Sequence, residues 1–269
     1  MQFPRVNRPL VSLAATLLLL AIAAPPARAE WTRGEFNFND KPVVEFHCIP
    51  DKADGPLPAV VLLHGAGRRN RANGAMEKIC DELAKAGYYT EFIEYYSQTE
   101  DVTPGEPAKI MQYFPIWLGE IRAGIDAMDR NPRIDPKRIG MVGYSLGAYL
   151  SLSTGATDPG KIAAIVDYYG GLPLRLHSMA SNLPPTLILH GDADVLVPVM
   201  QARELDRLMT AANRPHEVHI YPGANHAFNF PIPAWYNPTD AEDAWQHTLD
   251  FLGRYLGGKP TPALTAGAE

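Results

Sequence analysis

The hydrophobic and polar positions alternate between short apolar runs and amphipathic stretches along most of the chain. Ala59 to Leu63 is wholly apolar and stops at His64-Gly65-Ala66-Gly67, which suits a strand buried on both faces of a sheet. Ala75 to Ala86 then reads as a helix ended by Gly87, and Tyr88 to Tyr95 as the next strand. A longer helical pattern runs from about Ala108 to Arg130 and is halted by Asn131-Pro132. The second half repeats the alternation: strands are expected at Ile139–Gly143, Ile162–Asp167, Thr186–His190 and Glu217–Tyr221, and helices at Leu146–Ala156, Val199–Ala212 and Asp240–Leu256. Upstream, strands around Glu35–Asn37 and Val43–Cys48, separated by Asp40-Lys41-Pro42, suggest an antiparallel edge. Strands alternating with helices of this length imply crossover connections: an α/β protein with a mainly parallel central sheet and helices on both faces. Function then belongs at the carboxyl ends of the strands. No internal repeat is visible.

With 269 residues, 46% apolar and 20% charged, the chain is sized for one domain with a single large core. Residues 1–29 stand apart. Arg5 and Arg8 give a positive start, Leu10 to Ala24 is almost wholly apolar, and Ala27-Arg28-Ala29 places small residues at the A-x-A positions of an export signal. Cleavage is expected before Glu30, leaving a folded domain over 30–256 and a Gly/Pro/Ala/Thr-rich tail over 257–269. The apolar run is shorter than the ~20 residues of a spanning helix, so no stable membrane anchor is expected after cleavage. Losing three arginines and no acid shifts the formal charge from −6 to −9, an acidic balance that gives nucleic acid no foothold. Cys48 and Cys80, the two cysteines, would face an oxidising compartment. They could form one disulfide or serve as two small buried apolar side chains, and they make no metal-site pattern.

Gly143-Tyr144-Ser145-Leu146-Gly147 fits G-x-S-x-G between an apolar strand and a helical stretch, the strand-turn-helix setting that lifts a nucleophilic serine above a sheet. Glycine two residues before and two after keeps so tight a turn free of collisions, and the Leu146 amide faces a developing oxyanion. The competing reading is a Gly-bracketed turn with an ordinary helix-cap serine. A serine hydroxyl needs a neighbouring base. Of eight histidines, His226 is the one in a Gly/Asn-containing loop directly after a late strand, Tyr221-Pro222-Gly223-Ala224-Asn225-His226. A loop histidine bonded to a backbone carbonyl is the plainer alternative. The acid that orients the imidazole is expected at Asp194, after the strand Thr186–Leu189; Asp192 could instead brace the turn, and Asp167 is the runner-up. The chain order Ser, Asp, His is that of α/β-hydrolases. A second oxyanion amide is expected at Ala66, with Gly67 next. Gly67, Arg68, Tyr144 and Phe228 are expected to line the substrate, although Arg68 and Arg69 could equally be solvated.

Together, Ile139–Gly147 (IGMVGYSLG), Leu189–Pro198 (LHGDADVLVP), Tyr221–Phe228 (YPGANHAF) and the late stretch Asp240–Phe251 resemble the dienelactone hydrolase family over nearly the whole chain after residue 29. The resemblance implies an α/β-hydrolase fold, a triad on Ser145, Asp194 and His226, and oxyanion amides on Leu146 and Ala66. Two features depart from the founding enzymes: serine replaces their cysteine, and Phe230 and Glu94–Gln98 stand where they hold a substrate carboxylate with arginines. A partly apolar pocket formed by Phe228, Phe230, Trp235 and Tyr236 is an alternative to their packing in a core or lid. The resulting expectation is hydrolysis of a small-molecule carboxylic ester or lactone with no metal or organic cofactor. An amide or peptide target, or a non-catalytic exported binding protein on the same fold, are the competing readings. Oligomeric state is not encoded in any motif found.

Overall fold

The computed structural model describes residues 31–51, 55–67 and 74–257. The export signal expected over 1–29, Arg68 and Arg69, and the tail beyond Gly257 lie outside the described residues. Strands β1 (Thr32–Phe38) and β2 (Lys41–Cys48) form a hairpin, followed by β3 (Leu57–Leu63), α1 (Ala75–Lys85), β4 (Tyr89–Ile93), α2 (Pro107–Asp129), β5 (Ile134–Tyr144), α3 (Leu146–Thr157), β6 (Ala164–Tyr168), a 3-10 stretch (Leu174–Asn182), β7 (Thr186–Gly191), α4 (Met200–Ala211), β8 (His216–Tyr221) and α5 (Pro238–Leu256). The eight strands make one sheet in the order β1-β2-β4-β3-β5-β6-β7-β8. Only the β1–β2 and β2–β4 pairings are antiparallel, so β2 alone runs against the rest.

The apolar runs explain the layering. In β3, Val61 and Leu63 pack into one core and Val60 and Leu62 into the other, as the two-residue period of a strand requires. The first core is closed by α2, α3 and α4 through Trp117, Ile121, Leu150 and Leu205; the second by α1 and α5 through Met76, Leu83, Phe251 and Leu252. Asn237 caps α5, accepting hydrogen bonds from the Thr239 and Asp240 amides, with Pro238 at the first helical position and Gly257 ending the helix at φ 75°. None of the described helices is long and apolar enough to cross a membrane.

Three local departures from expectation have physical causes. The β1–β2 turn falls on Asn39 and Asp40, both at positive φ, while Lys41 and Pro42 already belong to β2. Two left-handed residues fit the right-handed twist of a two-residue hairpin, and Asn and Asp tolerate them. Strand β5 starts at Ile134 rather than Ile139, because Asp135 holds an irregularity in place by accepting from the Lys137 amide (3.0 Å) and from Arg138 (2.7 Å). Between β6 and β7 the chain makes only 3-10 turns, flanked by Pro173 and by Pro184-Pro185, which cannot donate to a longer helix. Cys48 and Cys80 are joined by a disulfide that ties the end of β2 to α1, so the paired alternative is the one the structure contains.

Candidate active site

At the carboxyl end of β5 the chain turns directly into α3, and Ser145 occupies the turn with φ 53° and ψ −115°. That backbone is sparsely populated by residues with a side chain, and its energy is elevated by ~1–3 kcal/mol. The flanking glycines are there for space. A Cβ on Gly143 would stand 2.5 Å from the Gly147 carbonyl oxygen, and one on Gly147 2.5 and 2.6 Å from the carbonyl oxygens of Leu63 and His64. The latter carbonyl is also engaged by the Tyr95 hydroxyl at 2.6 Å, so it has little freedom to retreat. The Ser145 amide donates to the Tyr168 carbonyl on β6 at 2.9 Å, which anchors the turn to the sheet.

Two further loops meet this turn. After β7, Asp194 accepts at one oxygen from the amides of Leu196 and Val197, both at 2.8 Å. After β8, Asn225 joins the two loops by accepting from the Val195 amide (3.2 Å) and the His226 amide (2.7 Å). The result is a continuous hydrogen-bonded chain: His226 Nε2 lies 3.0 Å from Ser145 Oγ, and His226 Nδ1 lies 2.7 Å from Asp194 Oδ2. With Nδ1–H donated to the carboxylate, Nε2 is left to accept the serine proton. The His226 ring is held on one side by Tyr169, 4.7 Å between centroids.

Behind Asp194, buried His190 donates from Nε2 to the Val197 carbonyl at 2.8 Å and stands 3.4 Å from Asp194 Oδ2. Burial alone would push the Asp194 carboxyl up, but hydrogen bonds from His190 and His226 win and hold it well below the usual carboxylate range. Burial opposes charging of His190, yet the Asp194 carboxylate and the Val197 carbonyl raise its pKa. Asp167 is fully buried and does not reach His226. Desolvation lifts its pKa to about 6, against the charge of His190 and the Gly170 amide that donates to it at 2.8 Å. Asp192 braces the β8 loop through the Gly223 amide at 2.6 Å.

A cleft of about 290 Å³ opens over Ser145. Its floor includes Ala66, Leu146, Tyr149, Val197 and His226, and its walls include Ile110, Met111 and Phe114 of α2 and Arg175 of the 3-10 stretch. Leu146 is the first residue of α3, so its amide is one of the first-turn N–H groups without a carbonyl inside the helix. Arg175 lies across the Phe114 ring, 5.0 Å from its centroid. Three of the expected substrate contacts, Tyr144, Phe228 and Gly67, do not line this cleft. Tyr144 is buried on the α1–α5 side against Tyr168 and Phe230 (4.7 and 5.1 Å), and borders a separate cavity of about 670 Å³ there. Phe228 is fully buried against Tyr221, 4.8 Å away, in the core on the α1–α5 side. Gly67, at φ 103°, lies in the bend after β3 and is not among the residues that line the cleft. The reading from sequence missed Tyr149, Arg175 and the α2 wall. No motif marks them, since they reach the cleft by helix packing rather than by strand-end position.

A sequence model described as the dienelactone hydrolase family matches residues 44–256. An Escherichia coli O157:H7 protein provisionally named carboxymethylenebutenolidase is 28% identical over 232 residues, covering 80% of this chain and 83% of its own. A Bradyrhizobium protein provisionally named 2-oxo-3-(5-oxofuran-2-ylidene)propanoate lactonase is 26% identical over 225 residues, covering 77% and 88%. The crystal structure of a Klebsiella pneumoniae protein, provisionally a dienelactone hydrolase, superposes with a TM-score of 0.70 at 26% identity over 84% of this chain and 100% of its own. With the sheet order, the strand-end loops and a match over most of its length, this chain belongs to the dienelactone hydrolase family.

Proposed function

We propose that the protein is an exported serine hydrolase that cleaves a carboxylic ester or lactone through an acyl-enzyme. The observation that carries this reading is the pair of contacts at 3.0 and 2.7 Å that link Ser145 to His226 and His226 to Asp194 at the floor of a cleft. In the first half-reaction His226 Nε2 takes the hydroxyl proton as Ser145 Oγ bonds to the carbonyl carbon. The Leu146 and Ala66 amides hold the resulting oxyanion, and the Asp194 carboxylate stabilises the imidazolium. His226 then returns the proton to the departing alkoxide, which leaves the acyl group on Ser145; in a lactone the alkoxide remains tethered to that acyl group. Water, deprotonated by the same imidazole, attacks the acyl carbon and releases the acid.

The cleft supports a small substrate with an apolar part, because Leu146 and Val197 in its floor and Ile110, Met111 and Phe114 in its wall are apolar, and exposed Leu196 also lines it. Arg175 adds one cationic group to that wall, suited to an ester bearing a carboxylate. Export is supported by the sequence of residues 1–29 and by the Cys48–Cys80 disulfide, a bond that persists in oxidising compartments. A fluorophosphonate probe labels Ser145 in the folded protein and not in Ser145→Ala. Absence of labelling in active, folded preparations refutes the nucleophile. N-terminal sequencing of secreted material begins at Glu30 on this reading, and a Met1 start retained in a membrane fraction refutes export by cleavage.

A further inference from the structure

Far from the residues used above, three ionisable side chains converge on the sheet face covered by α2. Glu45 and His47 are two residues apart on β2 and so project to one face, and Glu91 on β4 is paired with His47 in the β2–β4 register. One ligand atom from each lies within 4.8 Å of the other two. Both glutamates are more than nine-tenths buried, yet Glu45 Oε2 and Glu91 Oε1 have no hydrogen-bond partner. Buried carboxylate oxygens without donors are costly, and a cluster of them needs a compensating proton or cation.

The surroundings favour the cation. His47 is oriented by Tyr89, whose hydroxyl lies 3.2 Å from Nδ1, and its other nitrogen lies 3.3 Å from Glu45 Oε1. When Nδ1–H donates to the phenol oxygen, the Nε2 lone pair points at the carboxylates, which is how a second hydrogen bond fixes a metal-binding imidazole. On β1, paired with Glu45, stands Gly34. Any Cβ there would be 2.6 Å from His47 Nε2 and 2.9 Å from Glu45 Oε1. A glycine in a strand interior weakens it, and here it leaves room against the two ligand atoms.

We propose that Glu45, His47 and Glu91 bind one divalent cation of the Zn²⁺ class, which fastens β2 to β4. Two carboxylates and a neutral imidazole balance a doubly charged ion and form a borderline donor set suited to zinc. Ligand atoms that share a tetrahedral ion at about 2.0–2.2 Å lie about 3.3–3.6 Å apart, so from separations of up to 4.8 Å binding draws the cluster together by at most about 1.5 Å. The site touches no residue of the proposed hydrolytic machinery, and its ion is structural.

The test uses the full-length protein stripped of metal with a chelator and titrated with Zn²⁺ alone by calorimetry, with melting temperature followed in parallel. One equivalent binds and raises the melting temperature. Affinity falls at least tenfold in Glu91→Gln, in His47→Gln and in Gly34→Ala, and is unchanged in His247→Gln, which alters the His219–His247 ring pair on β8 and α5. His47 is partly exposed, so His47→Gln keeps the test sound if Glu91→Gln fails to fold. The proposal is overturned if no saturable equivalent appears, if His47→Gln and Gly34→Ala leave affinity unmoved, or if the equivalent is lost in His247→Gln instead. The first result would leave the two glutamates sharing a proton, and the other two would place the ion elsewhere.

Discussion

Replacing Ser145 by glycine and by alanine separates the cost of the turn from the chemistry of the hydroxyl. Both variants lose Oγ and its contact with His226, so on the proposed function both should be inactive, and the difference between them reports the backbone. Alanine keeps a Cβ at φ 53°, ψ −115°, where the strain is ~1–3 kcal/mol; glycine relieves it but gives back ~0.5–1 kcal/mol of unfolded-chain entropy. The glycine variant should therefore be more stable than the alanine variant by about 1 kcal/mol. For a chain of this size that is ~2–4 °C in melting temperature. Differential scanning calorimetry and urea unfolding of the two variants side by side measure it, with ester hydrolysis as the control for inactivity. If the alanine variant is equally or more stable, the turn is not strained by its side chain.

Asp194→Asn replaces an acceptor with an amide that can donate to His226, favouring the wrong tautomer. kcat/KM on p-nitrophenyl acetate should fall by ~10³–10⁴-fold, and a loss under tenfold would deny Asp194 its role. Asp167→Asn should leave that activity within tenfold and change pH-dependent stability instead. The folded pKa of about 6 lies above the ordinary carboxyl value, so this group's contribution is complete below about pH 4 and is lost as pH rises through about 6. Between pH 4 and 7 the variant should gain on wild type by up to ~3 kcal/mol in urea unfolding, and parallel profiles would contradict this. Replacing Cys48 and Cys80 together by alanine opens a loop with a sequence separation of 32, and should lower stability by about 4 kcal/mol; a urea midpoint unchanged by reductant in wild type would refute it. Arg175→Ala should raise KM several-fold for esters carrying a carboxylate and leave neutral esters unaffected, and equal effects on both would assign Arg175 to packing.

The parallel core of the fold was legible because its strands are buried on both faces: Ala59–Leu63 and Ile139–Gly143 carry no polar side chain, and Thr186–His190 is apolar through its centre. The hydrogen-bonded trio was legible because each member follows a strand of the sheet, Ser145 directly after β5, Asp194 three residues after β7 and His226 five residues after β8. Less was readable where position depends on packing. Tyr144 sits between glycines in the elbow, yet successive residues of a strand face opposite sides, and its ring follows β5 into the α1–α5 core. Arg175 could not be anticipated, because a 3-10 stretch has no periodicity to mark it and its place depends on Phe114 of a different element. Similarly, residues 134–138 lie outside the strand expected from Ile139, and they join β5 because neighbouring β3 pairs on both sides of the irregularity, Leu57 with Ile134 and Ala59 with Ile139.

The division of labour around the cleft has an evolutionary corollary. The reacting atoms hang from strand ends that the whole sheet keeps in register, whereas Ile110, Met111, Phe114 and Arg175 belong to peripheral elements that can be rebuilt without disturbing that register. On the proposed function, exchanging the opening turns of α2 together with the 3-10 stretch should change substrate choice while leaving Ser145, Asp194 and His226 in place. Relatives with different substrates are expected to diverge first in those two segments.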